Sequence, residues 1–164
     1  VYKRQTLCHS RPSLNCYTGY FIRNTLMVHQ QQLRFSTSGR GTFNIGPQVD
    51  EVISQSGIQQ GMCQVFIHHT SASLILCENA DPDVRTDLET FMKRLVPDGD
   101  SMFIHQDEGP DDMPAHVRTV LTQNALSFPI NNGRDTLGVW QGIYLWEHRT
   151  NPHKRKITVT VMGE

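Results

Sequence analysis

Two stretches of the chain alternate apolar and polar residues with the period of a β-strand. The first is residues 62–69, and the second is residues 156–162, in which threonines separate Ile157, Val159 and Val161. In a strand every second side chain points to the same face, so each stretch presents one apolar face. Such strands must bury that face against another layer, which restricts the chain to folds built around a sheet.

Three helices are predicted among these strands. The first begins near Gly46-Pro47, the second at Asp81-Pro82 and the third at Pro114, because proline is tolerated in the first helical turn. The second carries an apolar stripe at helical spacing from Val84 to Leu95. Further strands are predicted at residues 33–38, 73–77, 101–105, 127–130 and 139–147. The uneven order of elements and the many hairpin turns favour an α+β fold with mainly antiparallel sheets.

The overall charge argues against a general polyanion binder. Fifteen Lys and Arg stand against sixteen Asp and Glu, which gives a formal net charge of -1. We therefore expect no nucleic-acid partner. The apolar runs are far shorter than the roughly 20 residues of a membrane helix, so we also expect no membrane partner.

The basic residues are concentrated at the start of the chain. Residues 1–49 contain six Lys and Arg and no acidic residue. This composition is typical of an organelle presequence, and equally of a translated leader or an expression remnant. Met27 is a plausible initiator. We predict that residues 1–26 are a dispensable leader or presequence and that residues 27–164 form one domain. With no secretory signal and no CxxC pair, we expect a reducing compartment, the cytoplasm or a targeted organelle.

Three of the eight histidines are predicted to lie where elements end. His69 and His105 would end strands, and His116 would lie in the first turn of the third helix. Three imidazoles with a water molecule form a recognised catalytic-metal arrangement. The alternative is three separate, hydrogen-bonded histidines, because no pair of them has i, i+4 or HxH spacing.

Charged residues offer further candidates. Asp81 and its neighbours precede the second helix, where capping is their ordinary role. The acidic group at residues 107–112 has more carboxylates than capping needs, and could orient histidines or hold a hard divalent ion. Arg134, Arg149 and the basic run 154–156 could bind a phosphate, although such a run is more often a solvated strand entrance.

One predicted strand, residues 139–147, carries three large aromatic residues on a single face. They are Trp140, Tyr144 and Trp146. A face of this kind ordinarily fills a core or a subunit interface. We therefore expect it to support self-association.

Several motifs follow one another in a fixed order. They are HTSASL at residues 69–74, ENADPDVR at 78–85, EGPDDMPAH at 108–116, WQGI at 140–143 and EHR at 147–149. In order and spacing they resemble the YjbQ family, small proteins described as secondary thiamine-phosphate synthases. The resemblance runs from about Met27 to Glu164.

The resemblance implies a β-sandwich domain that assembles as a homotrimer. It also implies a polar cleft in which His69, His105 and His116 gather around a divalent metal, Zn or Mg. Four further residues would lie near them: Asn79, Asp81, Asp87 and Glu147. The implied reaction joins a pyrimidine diphosphate to a thiazole phosphate with loss of pyrophosphate, and a divalent cation would neutralise the leaving group.

We therefore expect a small metal-assisted enzyme that acts on phosphorylated small molecules. The expected catalytic residues are His69, His105, His116 and Glu147, and the same three histidines are the expected metal ligands. The expected substrate-binding residues are Asn79, Asp87, Arg134 and Arg149. The alternative is a non-catalytic trimeric metal- or ligand-binding module, which the aromatic strand face and the lack of a complete catalytic signature favour.

Overall fold

The computed structural model describes residues 25–164, which form eight strands and three helices. In chain order these elements are β1 (Met27–Ser36), β2 (Gly41–Asn44), α1 (Gly46–Ser56), β3 (Gln60–Ile67), β4 (Ala72–Glu78), α2 (Pro82–Leu95), α3 (Asp112–Leu121), β5 (Ala125–Asn131), β6 (Arg134–Asp135), β7 (Gln141–Glu147) and β8 (Lys154–Gly163). The predicted α+β fold with three helices is confirmed.

The strands form two sheets, and every pairing between them is antiparallel. One sheet has the strand order β1-β8-β3-β5-β6, and the other has the order β2-β7-β4. The apolar faces predicted from the alternation meet between the sheets, where Val65 and Val159 of the larger sheet and Leu145 of the smaller one share a single hydrophobic core. Val49 of α1 belongs to the same core. The result is a β-sandwich.

The second helix covers the aromatic face of β7. The indole Nε1 of Trp146 donates to Glu89 Oε2 at 2.8 Å, and the guanidinium of Arg85 lies 4.8 Å from the centre of the Tyr144 ring. Both aromatic side chains are therefore buried within the chain, whereas Trp140 precedes the strand and is 63% exposed. The aromatic face does not supply the continuous subunit surface that we expected from the sequence.

Two predicted boundaries near the third helix are wrong. Residues 101–105 form turns and irregular structure rather than a strand, because the Asp100 carboxylate accepts a hydrogen bond from the backbone N–H of Met102 and curls the chain. The helix starts at Asp112, two residues before Pro114. His116 therefore lies one turn inside the helix.

Other helix signals are confirmed. Asp81 caps α2 by accepting a hydrogen bond from Asp83 N at 2.9 Å, and Gly57 ends α1 with a left-handed backbone. Residues 1–24 lie outside the described part of the chain, so the dispensable leader stays a prediction. Among residues 25–164, none of the helices has the length and apolar character needed to cross a membrane.

Candidate metal site at the start of α3

A loop closed at its base lies beside the first turn of α3. Gly99 N donates to Pro110 O at 2.9 Å, so the two ends of residues 99–110 meet. Gly99 and Gly109 both have positive φ, +71° and +110°, a conformation that side chains rarely tolerate. The loop projects from the sandwich and carries His105 back over the helix.

His105 meets two residues of α3. Its Nε2 lies 2.8 Å from Asp112 Oδ2, and the Nε2 of His116 lies 3.6 Å from Asp112 Oδ1. One candidate ligand atom from each of the three residues can be chosen so that all lie within 4.8 Å of one another. The side chain of Asp112 is 3% exposed, that of His116 is 31% exposed and that of His105 is 48% exposed. The cluster is therefore buried on the side of Asp112 and open to solvent on the side of His105.

The tautomer of His116 is set by its other ring nitrogen. Its Nδ1 lies 2.9 Å from Thr70 O, and a carbonyl oxygen can only accept a hydrogen bond. Nδ1 therefore carries the proton, and in the neutral ring the lone pair is on Nε2, which faces Asp112. A histidine held by a backbone carbonyl in this way is a common arrangement for a metal ligand.

The carboxylate of Asp112 has one oxygen without a hydrogen bond. Oδ2 is buried and has no hydrogen-bond partner within residues 25–164, although His105 Nε2 is close by. A neutral imidazole that directs its lone pair at this oxygen would repel it. Either a proton on His105 or a cation between the two groups removes that repulsion.

Arg149 joins three carboxylates on the inner side of the cluster. Its Nε donates to Asp111 Oδ2 at 3.1 Å, and its Nη1 donates to Asp112 Oδ1 and to Glu108 Oε2. Burial opposes charge at Asp111, but hydrogen bonds from Thr150 and Arg149 outweigh it and lower the pKa of that carboxyl. Three negative charges thus surround one positive charge. Glu108 is 70% exposed and screened by solvent, but Asp111 and Asp112 are buried, so negative charge exceeds positive charge in the buried part and a cation would offset it.

A cavity of about 320 Å³ opens beside His105. It is lined by the closed loop and the start of α3: Gly99, Asp100, Phe103, His105, Gln106, Gly109, Pro110, Met113 and Pro114. The walls combine apolar side chains with a few polar groups, which is the usual composition of a small-molecule site. A molecule bound there would contact His105 directly.

His69, the third expected ligand, lies outside this cluster. Its Nε2 accepts a hydrogen bond from the backbone N–H of Lys156 at 2.8 Å. Burial, together with the nearby charge of Arg155, lowers the pKa of His69, so this ring is neutral near pH 7. The structure brings together two of the three predicted histidines. The Nε2 lone pair of the third, His69, is engaged by the backbone N–H of Lys156.

Glu147 is enclosed between the sheets. Its oxygens accept hydrogen bonds from Arg155, from Thr37 Oγ1 and from Arg149 N, and its side chain is completely buried. Burial would raise the pKa of Glu147, but these donors outweigh it and lower the pKa. The structure therefore places this expected catalytic carboxylate in a closed network.

The expected substrate-binding residues are dispersed. Asn79 donates to the backbone carbonyls of Val139 and Gln141, Asp87 is exposed on α2, and Arg134 is exposed in the β5–β6 hairpin beside a second cavity. Arg149 alone reaches the cluster, where it binds carboxylates.

Asp112 is the site residue that the sequence reasoning did not select. It belongs to the acidic group that we noticed, but the helix was expected to begin at Pro114. With the helix starting at Asp112, Asp112 and His116 have i, i+4 spacing, which places both side chains on one face. A search for mixed histidine–carboxylate pairs at that spacing would have found them.

The part of the chain that carries this site matches a known family. Residues 31–164 match the family described as UPF0047 protein YjbQ-like. The chain belongs to this family. The resemblance to YjbQ proteins is thereby confirmed, and the matched range spans the whole cluster.

Relatives in bacteria and archaea support the assignment. A UPF0047 protein of Synechocystis sp. is 49% identical over 140 residues, which is 85% of this chain and 95% of that protein. The UPF0047 protein YjbQ of Escherichia coli O157:H7 is 39% identical over 142 residues, which is 84% of this chain and 100% of that protein. The solved structure of a YbjQ-like protein from Sulfolobus solfataricus P2 has a TM-score of 0.78 at 26% identity and covers 85% of this chain and 100% of that chain.

Proposed function

We propose that this YjbQ-like protein is a small metal-assisted enzyme that acts on phosphorylated small molecules. His105, Asp112 and His116 would hold the divalent cation. The observation that carries the proposal is the buried carboxylate of Asp112, whose Oδ2 has no hydrogen bond within residues 25–164 and lies 2.8 Å from His105 Nε2, while its Oδ1 lies 3.6 Å from His116 Nε2. The excess negative charge around Arg149 and the His116 tautomer support the same conclusion.

The donor set suits several divalent ions. Two histidines and one carboxylate leave coordination positions open for water and substrate, as in zinc and non-haem iron enzymes. The cation would supply charge neutralisation for a phosphate or pyrophosphate group. The chain's own residues would fix that group beside the cavity, and the apolar walls around Phe103 and Met113 would hold a ring.

The specific reaction that we propose is the one implied by the resemblance. It joins a pyrimidine diphosphate to a thiazole phosphate and releases pyrophosphate. The closed loop and the α3 turn would keep the leaving group beside His105. In this reaction the residues of the chain act mainly by binding and orientation, which can supply a large share of a rate enhancement.

The test combines metal binding with turnover. Wild-type protein is stripped of metal, titrated with Zn²⁺, Mn²⁺ and Mg²⁺, and assayed for pyrophosphate release from the two substrates. His116→Ala is the variant and His153→Ala is the control, because the Nδ1 of His153 also faces a backbone carbonyl, that of Asn151, but His153 lies outside the cluster. We expect binding and turnover in wild type and in the control, and neither in His116→Ala. Metal affinity should also fall at acidic pH, because a protonated imidazole has no lone pair free for a metal.

A non-catalytic metal- or ligand-binding module is the second candidate. One observation favours it: the residues that line the cavity, all within the described range, include no lysine and no arginine. The negative charge of a phosphate bound in this cavity would therefore be neutralised by the cation alone. Metal-dependent retention of the phosphorylated substrates without turnover would support this candidate and exclude the enzyme.

We also propose that the protein assembles as a homotrimer. Val28 of β1, Met162 of β8 and Met62 of β3 stand side by side in register on the outer face of the five-stranded sheet, and all three are exposed. Association would bury this row. Light scattering at micromolar concentration should give three times the monomer mass, and Met62→Glu should lower it. A monomer mass for wild type would contradict the assembly.

A further inference from the structure

Arg149 enters the site from the sandwich, unlike the three candidate ligands. It follows β7 in the chain and its side chain is 7% exposed. Its Nη2 donates to Glu108 O at 2.7 Å, in addition to the bonds from Nε to Asp111 and from Nη1 to Asp112 and Glu108. Four of its five N–H groups are therefore used inside the protein.

These contacts join the two parts of the site. Asp112 belongs to α3, whereas Glu108 belongs to the loop that carries His105. By taking Asp112 Oδ1, Arg149 fixes the rotation of that carboxylate and leaves Oδ2 directed at His105. By holding Glu108 O next to the positive-φ residue Gly109, it also fixes the end of the loop.

We infer that Arg149 is a positioning residue, which aims Asp112 Oδ2 and anchors the His105 loop so that both reach one cation. This inference rests on the proposed cation site. This role differs from the substrate-binding role expected from the sequence. Four of the five guanidinium N–H groups that could bind a phosphate already donate to the protein.

Arg155 provides a matched control. It too is a buried arginine, 4% exposed, and it donates two hydrogen bonds to a buried carboxylate, Glu147. It lies outside the His105–Asp112–His116 cluster. A lysine at either position keeps the positive charge but loses the planar fork that binds several oxygens at once.

The experiment titrates metal-free wild type, Arg149→Lys and Arg155→Lys with Co²⁺ and follows the visible ligand-field absorption. We expect Arg149→Lys to bind Co²⁺ about 10–100-fold more weakly, as for loss of a partner that orients a ligand, with an altered spectrum. Arg155→Lys should lower the melting temperature and leave affinity and spectrum unchanged.

A second pair of variants serves if Arg149→Lys fails to fold. Asp111→Asn weakens the anchor of Arg149 Nε, and Glu108→Gln removes the same charge near the site while keeping the bond to the Glu108 backbone. We expect the first to lower Co²⁺ affinity more than the second. Equal losses would contradict the positioning role.

The outcomes separate this inference from the proposed function. If wild type binds no Co²⁺, the cation site itself is wrong and the inference falls with it. If wild type binds Co²⁺ and Arg149→Lys binds it equally well, only the inference is wrong. Unchanged Co²⁺ affinity with a raised KM for the phosphorylated substrate would instead identify Arg149 as a substrate-binding residue.

Discussion

Two buried arginines, Arg149 after β7 and Arg155 in β8, bind carboxylates in contrasting ways. Arg155 meets one carboxylate, Glu147, whose oxygens are also bound by Thr37 and by the backbone of Arg149. Arg149 meets three carboxylates, and Asp112 Oδ2 is left without a hydrogen bond among the residues that the structure describes. The first network is balanced in charge and closed. The second is unbalanced and opens to solvent at His105.

From this difference we expect the first network to stabilise the fold and the second to take the proposed cation. A buried ion pair with every oxygen satisfied gains nothing from another charge. A cluster with surplus negative charge and an unbound oxygen is destabilised until a cation or a proton arrives. Stability and binding should therefore respond in opposite ways to neutral substitutions in the two networks.

The largest effect is expected from Glu147→Gln. This change breaks the buried pair and leaves Arg155 uncompensated, which should cost about 3–5 kcal/mol of unfolding free energy. Chemical denaturation measures it. The folded fraction should still bind Co²⁺ with wild-type affinity, and a loss of affinity matching that of a cluster variant would show that the two networks are not separate.

Asp112→Asn should weaken metal binding without lowering the stability of the metal-free protein. It removes a proposed ligand, so Co²⁺ affinity should fall by more than the roughly 10–100-fold that an outer-shell partner is worth. Without metal, the melting temperature should stay the same or rise, because the change relieves the surplus of negative charge. A large loss of stability in metal-free protein would mean that Asp112 serves the fold in the way Glu147 does.

The contribution of the cluster histidines to metal binding can be compared with that of His69. His116→Ala should abolish tight Co²⁺ binding, whereas His69→Ala should leave it within about threefold of wild type, since the Nε2 lone pair of His69 is engaged by Lys156 N. Isothermal titration of both variants measures this. Equal losses would restore the three-histidine site expected from the sequence.

A smaller effect is expected at Asp50 of α1, a carboxyl group next to another acidic residue rather than an arginine. Burial, together with Asp135 of β6, raises the pKa of Asp50 of α1 to about 6. The unfolded chain releases this proton near pH 3.8, so the stability of the fold falls as pH rises from about 4 to 6 and stays lower above that range.

Asp50→Asn should therefore stabilise the protein at pH 8 but not at pH 3.5. Because Asp50 is only partly shielded from solvent, screening keeps the gain small, about 2 °C in melting temperature. Thermal scans at the two pH values measure it, with Glu51→Gln, the exposed neighbour, as the control. An equal gain at both pH values would contradict the raised pKa of Asp50.

The sequence predicted the sandwich well, because its signals are local and repeated. Strict alternation identified β3 and β8, and proline placement identified α1 and α2. The segment 101–105 was misleading, since Met102 and Ile104 alternate as in a strand although both are exposed. Nothing in that short window reveals that Asp100 turns the chain.

The site was only partly predictable. His105 and His116 were selected as chemical candidates at the ends of elements, but their partner depended on the first residue of α3. The environments of Glu147 and His69 depend on contacts across the sheets, such as Thr37 with Glu147 and Lys156 with His69. Residue types at these positions indicate reactive groups, and long-range pairing decides which of them are already engaged.

The closed base of the loop 99–110 has a consequence for which metal the proposed site would prefer. The hydrogen bond between Gly99 and Pro110 and the bond from Arg149 to Glu108 O hold the ends of this segment, and none of its residues belongs to a strand. Asp112 and His116 are tied to a helix, whereas the third donor sits on this segment. Replacing His105 by a thiolate or a carboxylate would move the site toward softer or harder ions.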